Sequence, residues 1–236
     1  MDVDEWPEDP RARAAHTKRI RTRAALIAAA DSAFSRHSWA AARMEDIAEA
    51  AGVSPATAYN HFPTKHALLG AVYEPYVRGL IRQAESDIAN GRSVVDALVD
   101  QVNALARLSW YHRGLTAAFT AAVLDYTIRV GRAPDPADQG DPRNIAPINM
   151  ALLLLIRHGQ ATGELRPHPP ATEISGMIIN LLLVRSLNRK DEPPAVTADL
   201  LLTMLLGALR PDLVGTRDCG GAPPGRAGAP PEEPTD

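Results

Sequence analysis

The stretch 44–69, MEDIAEAAGVSPATAYNHFPTKHALL, constrains this chain most, because the residues that steer its backbone leave few alternatives. Met44, Ile47, Ala48 and Ala51 recur at helical spacing and predict a short amphipathic helix. Gly52 follows where a left-handed residue closes such a helix. Ser54 is a good N-cap and Pro55 sits at N1, where its missing N–H costs nothing, so a second helix starts at once. That helix is short, since Pro63 blocks it and pushes Phe62 out of the α region. Two brief helices joined by a glycine turn make a helix-turn-helix, whose second helix can lie in a DNA major groove. The same spacing also fits an ordinary helical hairpin with a solvated polar face.

The faces of the second helix follow from its period. Ala58 and Phe62 are four apart and are expected to pack inward with Val53. Ala56, Thr57, Asn60 and His61 then point outward, with Tyr59 near the boundary. Small and polar residues on that face would let the backbone approach a groove closely. Thr64 caps a third helix and places Lys65 near a positive helix end, where a phosphate also binds.

Residues 22–70 resemble the N-terminal DNA-binding domain of the tetracycline-repressor (TetR) family of bacterial transcription regulators. The resemblance is carried by Ala29-Ala30 through Ala33-Phe34, then Asp46-Ile47-Ala48, Ala51-Gly52-Val53-Ser54, Tyr59, His61-Phe62, and Lys65 with Ala67-Leu68-Leu69. It implies that Tyr59, His61 and Lys65 touch phosphates, that Thr57 and Asn60 lie nearest the base edges, and that Arg43, Pro55 and Ala56 share the DNA-contacting surface. The sequence departs from the family pattern at four places. Ala42 stands where a threonine commonly caps the second helix, a loss of about 1 kcal/mol. Ser38 replaces a usual glycine, Trp39 a smaller aromatic, and Ala58 a frequent leucine. The second helix carries no Arg or Lys, so bidentate reading of guanine from it is excluded. Asn60 can read adenine and the methyl of Thr57 can contact thymine, which predicts A·T pairs among the contacted operator positions.

Charge is distributed to match. The chain of 236 residues has a formal net charge of only −3, yet residues 11–65 hold nine Lys or Arg against four Asp or Glu. The basic excess falls on the motif-bearing segment, as phosphate binding requires. Residues 1–19 read as a flexible arm, acidic and then basic. Its residues 1–10 read as a solvated tail, whereas Arg11 to Arg23 fit equally a solvated segment or one touching the DNA backbone or minor groove. No apolar core follows the N-terminus, so the arm does not read as a signal peptide. A first helix is expected from about Arg21 to His37, with Phe34 as a core residue beneath the motif.

The fold class expected is all-α: a three-helix DNA-binding domain over 20–66, then a helical effector-binding and dimerisation domain over 67–212. Hydrophobic residues are 45% with few aromatics, and no β-alternation is evident. Pro75 interrupts the helical pattern that runs from Thr64, either as a kink coupling the two domains or as a tolerated irregularity. Further helical segments are expected at Val94–Tyr111, Leu115–Val130, Ile145–Gln160, Thr172–Leu187 and Ala195–Leu209. The longest apolar run, Met150 to Ile156, is too short to span a membrane, and no membrane partner is expected. The resemblance implies that the last two helices, about 172–187 and 195–209, form a four-helix interface in a homodimer. Ile174, Met177, Ile178, Leu181, Leu182 and Val184 on one, with Leu200, Leu201, Met204, Leu205 and Ala208 on the other, suit that role or burial within a monomer.

No stretch suggests catalysis, a metal or a cofactor. The histidines lack metal-ligand spacing, and neither a Gly-rich phosphate loop nor a nucleophile elbow occurs. Trp110, Phe119, Tyr126, Asn149 and His158, with Tyr111, His112 and Asp125 nearby, are either the lining of a mainly apolar effector pocket or ordinary core and surface residues. The tail, 213–236, is rich in Gly and Pro and is expected to be disordered. It holds Cys219, the only cysteine, so no internal disulfide forms and a reducing cytoplasm fits. The expected function is a non-enzymatic regulator, a dimeric repressor released from palindromic operator DNA by a small-molecule effector. The alternative is a helical small-molecule-binding or enzymatic protein that holds nucleic acid only loosely.

Overall fold

The computed structural model describes residues 9–132, 135, 137–138 and 140–210, and these form ten helices and no strand. Helix α1 (Pro10–Arg36) begins eleven residues before its expected start and is capped by Asp9, whose carboxylate accepts the Arg11 amide at 3.1 Å. Asp9 followed by Pro10 is an N-cap and N1 pair, and it carries the helix through a segment expected to be a flexible arm. Residues 10–19 are therefore helical, while residues 1–8 lie outside those described. Leu26, Ala30 and Phe34, spaced by four, are fully buried on the inner face of α1.

Helices α2 (Met44–Ala50), α3 (Pro55–His61) and α4 (Lys65–Ala89) follow the expected turns. Gly52, between α2 and α3, has φ +69°, the left-handed conformation that a side chain would strain. The N-cap of α2 is Arg43, one residue after the expected Ala42, and it makes no side-chain capping hydrogen bond. Met44, Ile47, Ala58, Phe62, Leu68 and Leu69 close around Phe34 as the core of the N-terminal unit. Pro75 sits on the exposed side of α4, which continues through it to Ala89.

The second unit comprises α5 (Val94–Tyr111), α6 (Arg113–Val130), α7 (Pro142–Ile145), α8 (Met150–Thr162), α9 (Ala171–Asn188) and α10 (Pro194–Leu209). The single helix expected over 145–160 is two elements. Asp141-Pro142 starts the short α7, and Pro147 prevents its continuation into α8. Helix α5 lies centrally, against α10, α8 and α4. Its N-terminus is closed from the turn after α8, where the Glu164 carboxylate accepts the Ser93 hydroxyl at 3.0 Å and the Val95 amide at 3.2 Å. No helix among the described residues is long and apolar enough to cross a membrane. The tail from 211 onward, Cys219 included, lies outside the described residues.

Three of the contacts that join the units are especially close. Gly114, at the start of α6, meets the end of α1 so closely that a Cβ would stand 2.3 Å from the Ser35 carbonyl oxygen. Gly70 on α4 receives Ile145 of α7, with a built Cβ only 2.9 Å from the Ile145 Cβ. His66 on α4 donates from Nε2 to the Asp125 carboxylate of α6 at 2.8 Å, with its ring against Trp39 and Tyr126. Burial holds the His66 imidazole below its ordinary value. The hydrogen bond it donates to Asp125 pulls it upward less strongly, and the charges of Arg129 and Lys65 add to the lowering.

Two outcomes follow from this junction. Gly114→Ala drives a methyl into a backbone carbonyl that cannot rotate away, and chemical denaturation is expected to show a loss of about 1–3 kcal/mol. Because folding depresses the His66 pKa, its contribution to stability is fully present above the unfolded value of about 6.5 and is lost as pH falls toward the lower folded value. Unfolding midpoints measured across that acid window are expected to fall more steeply for the wild type than for His66→Gln.

Candidate nucleic-acid interface and effector cavity

The outward surface of α3 is built by its cap and its core contacts. The Ser54 hydroxyl accepts the Thr57 amide at 3.2 Å and lies 2.9 Å from the Thr57 hydroxyl. Ala58 and Phe62 are buried to 0% and 2% exposure, which turns Pro55, Ala56, Tyr59 and Asn60 to solvent. Thr57 and His61 are half-buried at the sides of this surface. Tyr59, expected near the boundary, is 43% exposed, and its hydroxyl donates to Glu45 of α2 at 3.4 Å. Arg43 reaches the other oxygen of the same carboxylate at 3.5 Å and remains largely in solvent. Glu45 thus ties the two helices together, and the adjacent Arg43 charge and these hydrogen bonds reinforce its own backbone contact in holding the carboxyl below the usual range.

A basic flank borders this surface. The Arg23 guanidinium stacks 4.3 Å over the Phe62 ring, a placement that aligns α1 beside the end of α3. Partial burial, and then the charges of Arg19 and Arg23, hold the His61 imidazole below its ordinary value. With α1 extended to Pro10, Arg11, Arg13, Lys18, Arg19, Arg21 and Arg23 ride on one rigid helix.

Lys65 has a further task that residue spacing did not disclose. Its ammonium donates to the Trp39 carbonyl at 2.7 Å and the Ala42 carbonyl at 3.0 Å, and sits 4.1 Å from the Trp39 ring centroid. It fastens the connection between α1 and α2, which has no glycine at Ser38 and no capping threonine at Ala42. Two of its three N–H donors are occupied, which leaves one for a phosphate.

The candidate effector residues divide. Phe119 and Asn149 line a cavity of about 440 Å³ between α6, the α7–α8 segment and α9, together with Arg143, Asn144, Ile179 and Asn180. Phe119 is held there by stacking on Tyr73 of α4, with centroids 4.4 Å apart. Trp110, Tyr126 and His158 are not part of this lining. Trp110 borders a separate cleft near α10, Tyr126 is hydrogen-bonded to Asp138, and His158 lies on α8 near Glu164. Linear order could not show this, because the cavity is walled by 143–149, a segment read as helix and loop ends. Its signal was the Asn144, Asn149, Asn180 set of amides on otherwise apolar elements. Among the described residues no group of three or more His, Cys, Asp or Glu is placed to hold a metal ion.

The expected dimer residues also divide. Ile174, Ile178, Leu182, Leu201 and Leu205 are buried in the chain's own core, whereas Met177, Val184 and Met204 are 65%, 47% and 48% exposed. Val196, not anticipated, joins the exposed set at 50%. Leu181, Leu200 and Ala208 are half-buried between the two groups.

Residues 26–72 match the family model described as bacterial regulatory proteins, tetR family. Comparison with the curated proteins gives no significant match. Among solved structures, the chain is similar to FadR of Thermus thermophilus, a TetR-family transcriptional repressor in complex with lauroyl-CoA. That match has 21% identity and a TM-score of 0.65 over 85% of this chain and 100% of the other. FadR of Bacillus subtilis in complex with stearoyl-CoA aligns at 16% identity and a TM-score of 0.58, covering 77% of this chain and 96% of that one. RolR in complex with resorcinol aligns at 20% identity and a TM-score of 0.54, covering 80% and 89%. The N-terminal segment thus matches the bacterial regulatory proteins of the tetR family, and the described residues share the fold of these solved regulators.

Proposed function

We propose that this protein is a DNA-binding transcriptional repressor that acts as a homodimer and is released from a palindromic operator by a small-molecule effector. The observation that carries the reading is α3 itself: a capped helix, anchored by Ala58 and Phe62, exposing Pro55, Ala56, Tyr59 and Asn60 beside the basic face of α1. Asn60 reads adenine. Thr57, its hydroxyl engaged with Ser54, offers its methyl to thymine. Tyr59, His61, Arg43 and the remaining donor of Lys65 hold phosphates, as do the arginines of α1. Two copies meet through the exposed Met177, Val184, Val196 and Met204 of α9 and α10, which sets the half-site spacing.

The effector occupies the cavity bounded by Phe119, Asn149 and Asn180. Its mixed lining suits an apolar body with one or two hydrogen-bonding groups. Resorcinol, held by one structurally similar regulator, is of that kind, and the acyl chains of the lauroyl-CoA and stearoyl-CoA held by two others are apolar bodies of the same sort, joined to a large polar CoA group. The wall segment 143–149 includes Ile145, which seats on Gly70 of α4. An occupant that moves this wall shifts α4 and with it the recognition helix. It must bind the released arrangement more tightly than the DNA-bound one, or nothing changes.

Selection of bound genomic fragments, followed by affinity measurements over a range of salt, tests the reading. Thr57→Ala and Asn60→Ala are each expected to cost about 1–3 kcal/mol on the selected site and little on random DNA. Arg19→Ala is expected to lower both affinities and reduce the salt slope by about 1. Equal affinity for selected and random fragments in the wild type would overturn the proposal. For the release step, lauroyl-CoA and resorcinol serve as first probes. Ile145→Ala is expected to bind whichever is active as the wild type does, yet to release DNA less completely.

A further inference from the structure

We infer that the cleft between the α5–α6 junction and the α9–α10 connection is a binding site for a phosphate group, separate from the effector cavity. It opens on a different face of α9, the one that presents Leu182 and Ser186, whereas the effector cavity uses Gly176, Ile179, Asn180 and Leu183. Its floor contains Ser109 of α5, only 3% exposed, whose hydroxyl has no hydrogen-bond partner. A buried hydroxyl in a helix ordinarily bonds back to the carbonyl one turn earlier, and an unsatisfied one is costly. Ser109 instead borders the cleft with a hydroxyl that is unpartnered and nearly closed to solvent.

Three cations line the rim: Arg113 at the start of α6, and Arg189 and Lys190 after α9. All three are exposed, and none forms an ion pair with a carboxylate among the described residues. The one acid in the lining is Glu192, and it is already satisfied. Its carboxylate accepts from Arg185 at 2.6 and 2.7 Å and from the Thr197 hydroxyl at 2.6 Å. The lining thus carries three cations against one carboxylate, on which Arg189 also acts by its charge, with one buried hydroxyl among them.

Shape selects the ligand. The interior holds about 20 Å³, room for a single water-sized atom, while the mouth is open. A tetrahedral oxyanion can insert one oxygen toward Ser109 and leave its other oxygens among the guanidinium and ammonium groups at the rim, where charge-assisted hydrogen bonds are strong. A larger organic body cannot enter. The ligand is therefore free phosphate or the terminal phosphate of a larger molecule. Bound there, it joins the end of α5 to the start of α10 and fixes the loop between α9 and α10.

Calorimetric titration at constant ionic strength, with inorganic phosphate in one arm and AMP in the other, tests the site and distinguishes the two sources. Binding of either, weakened at least about tenfold by Ser109→Ala and lost in Arg189→Ala/Lys190→Ala, is the expected result. Ser109→Ala removes an unsatisfied hydroxyl, so without phosphate it is expected to be no less stable than the wild type. Its loss of binding therefore cannot be attributed to misfolding. Heat from phosphate alone identifies the free anion, and heat from both identifies a terminal phosphate held at the mouth. No saturable heat in either arm, or equal affinity in wild type and variants, would show that Ser109 shelters only a water, and would overturn the inference.

Discussion

Two consecutive side chains at the start of α4 tie it to two different elements, the α1–α2 connection and α6, and the remainder of the molecule is arranged around them. Lys65 donates to the carbonyls of Trp39 and Ala42, drawing the α1–α2 connection onto the helix that follows the recognition motif. His66 donates to Asp125 and so draws the second unit onto the first. The Trp39 ring lies against both, 4.1 Å from the ammonium and 4.8 Å from the imidazole. A large aromatic at this position therefore supplies apolar cover for two polar contacts that water would otherwise weaken. The N-terminal unit and the helical unit share one set of interactions at their seam.

That seam explains why small residues occur where they do. Gly114 and Gly70 both lie at crossings between the units, where a side chain would collide with Ser35 or Ile145. At Gly114 the opposing atoms are backbone, which has no flexible end to yield, whereas at Gly70 they are the Ile145 side chain, seated from its Cβ outward against α4. In the proposed release step, it is through Ile145 on Gly70 that the 143–149 wall meets α4.

The second unit carries two openings of different chemistry on one helix. One face of α9 borders an apolar cavity with amide groups, and a neighbouring face borders a cationic cleft with a buried hydroxyl. Between these and the exposed Met177 and Val184, nearly the whole circumference of α9 is in use. Such a helix reads as apolar all round in sequence, which is why its periodicity alone left burial in a monomer and pairing in a dimer both open.

Residue order determined the elements whose ends are set locally. Gly52, Ser54-Pro55, Pro63 and Thr64 each act on their own backbone, so α3 and the start of α4 were legible without knowledge of anything distant. Val94–Tyr111 was legible for the same reason, from its own unbroken period. The first helix was misjudged at its start although the same Asp-Pro signal was present at Asp9-Pro10, because the surrounding charge suggested a solvated arm. What tertiary structure alone decided is which side chains converge. Phe119 meets Asn149 while Trp110, Tyr126 and His158 go elsewhere, and Lys65 turns back to Trp39 and Ala42. These outcomes depend on how helices cross. Crossing is set by the summed packing of many side chains and by the glycines that permit close approach, and spacing along the chain carries no record of either.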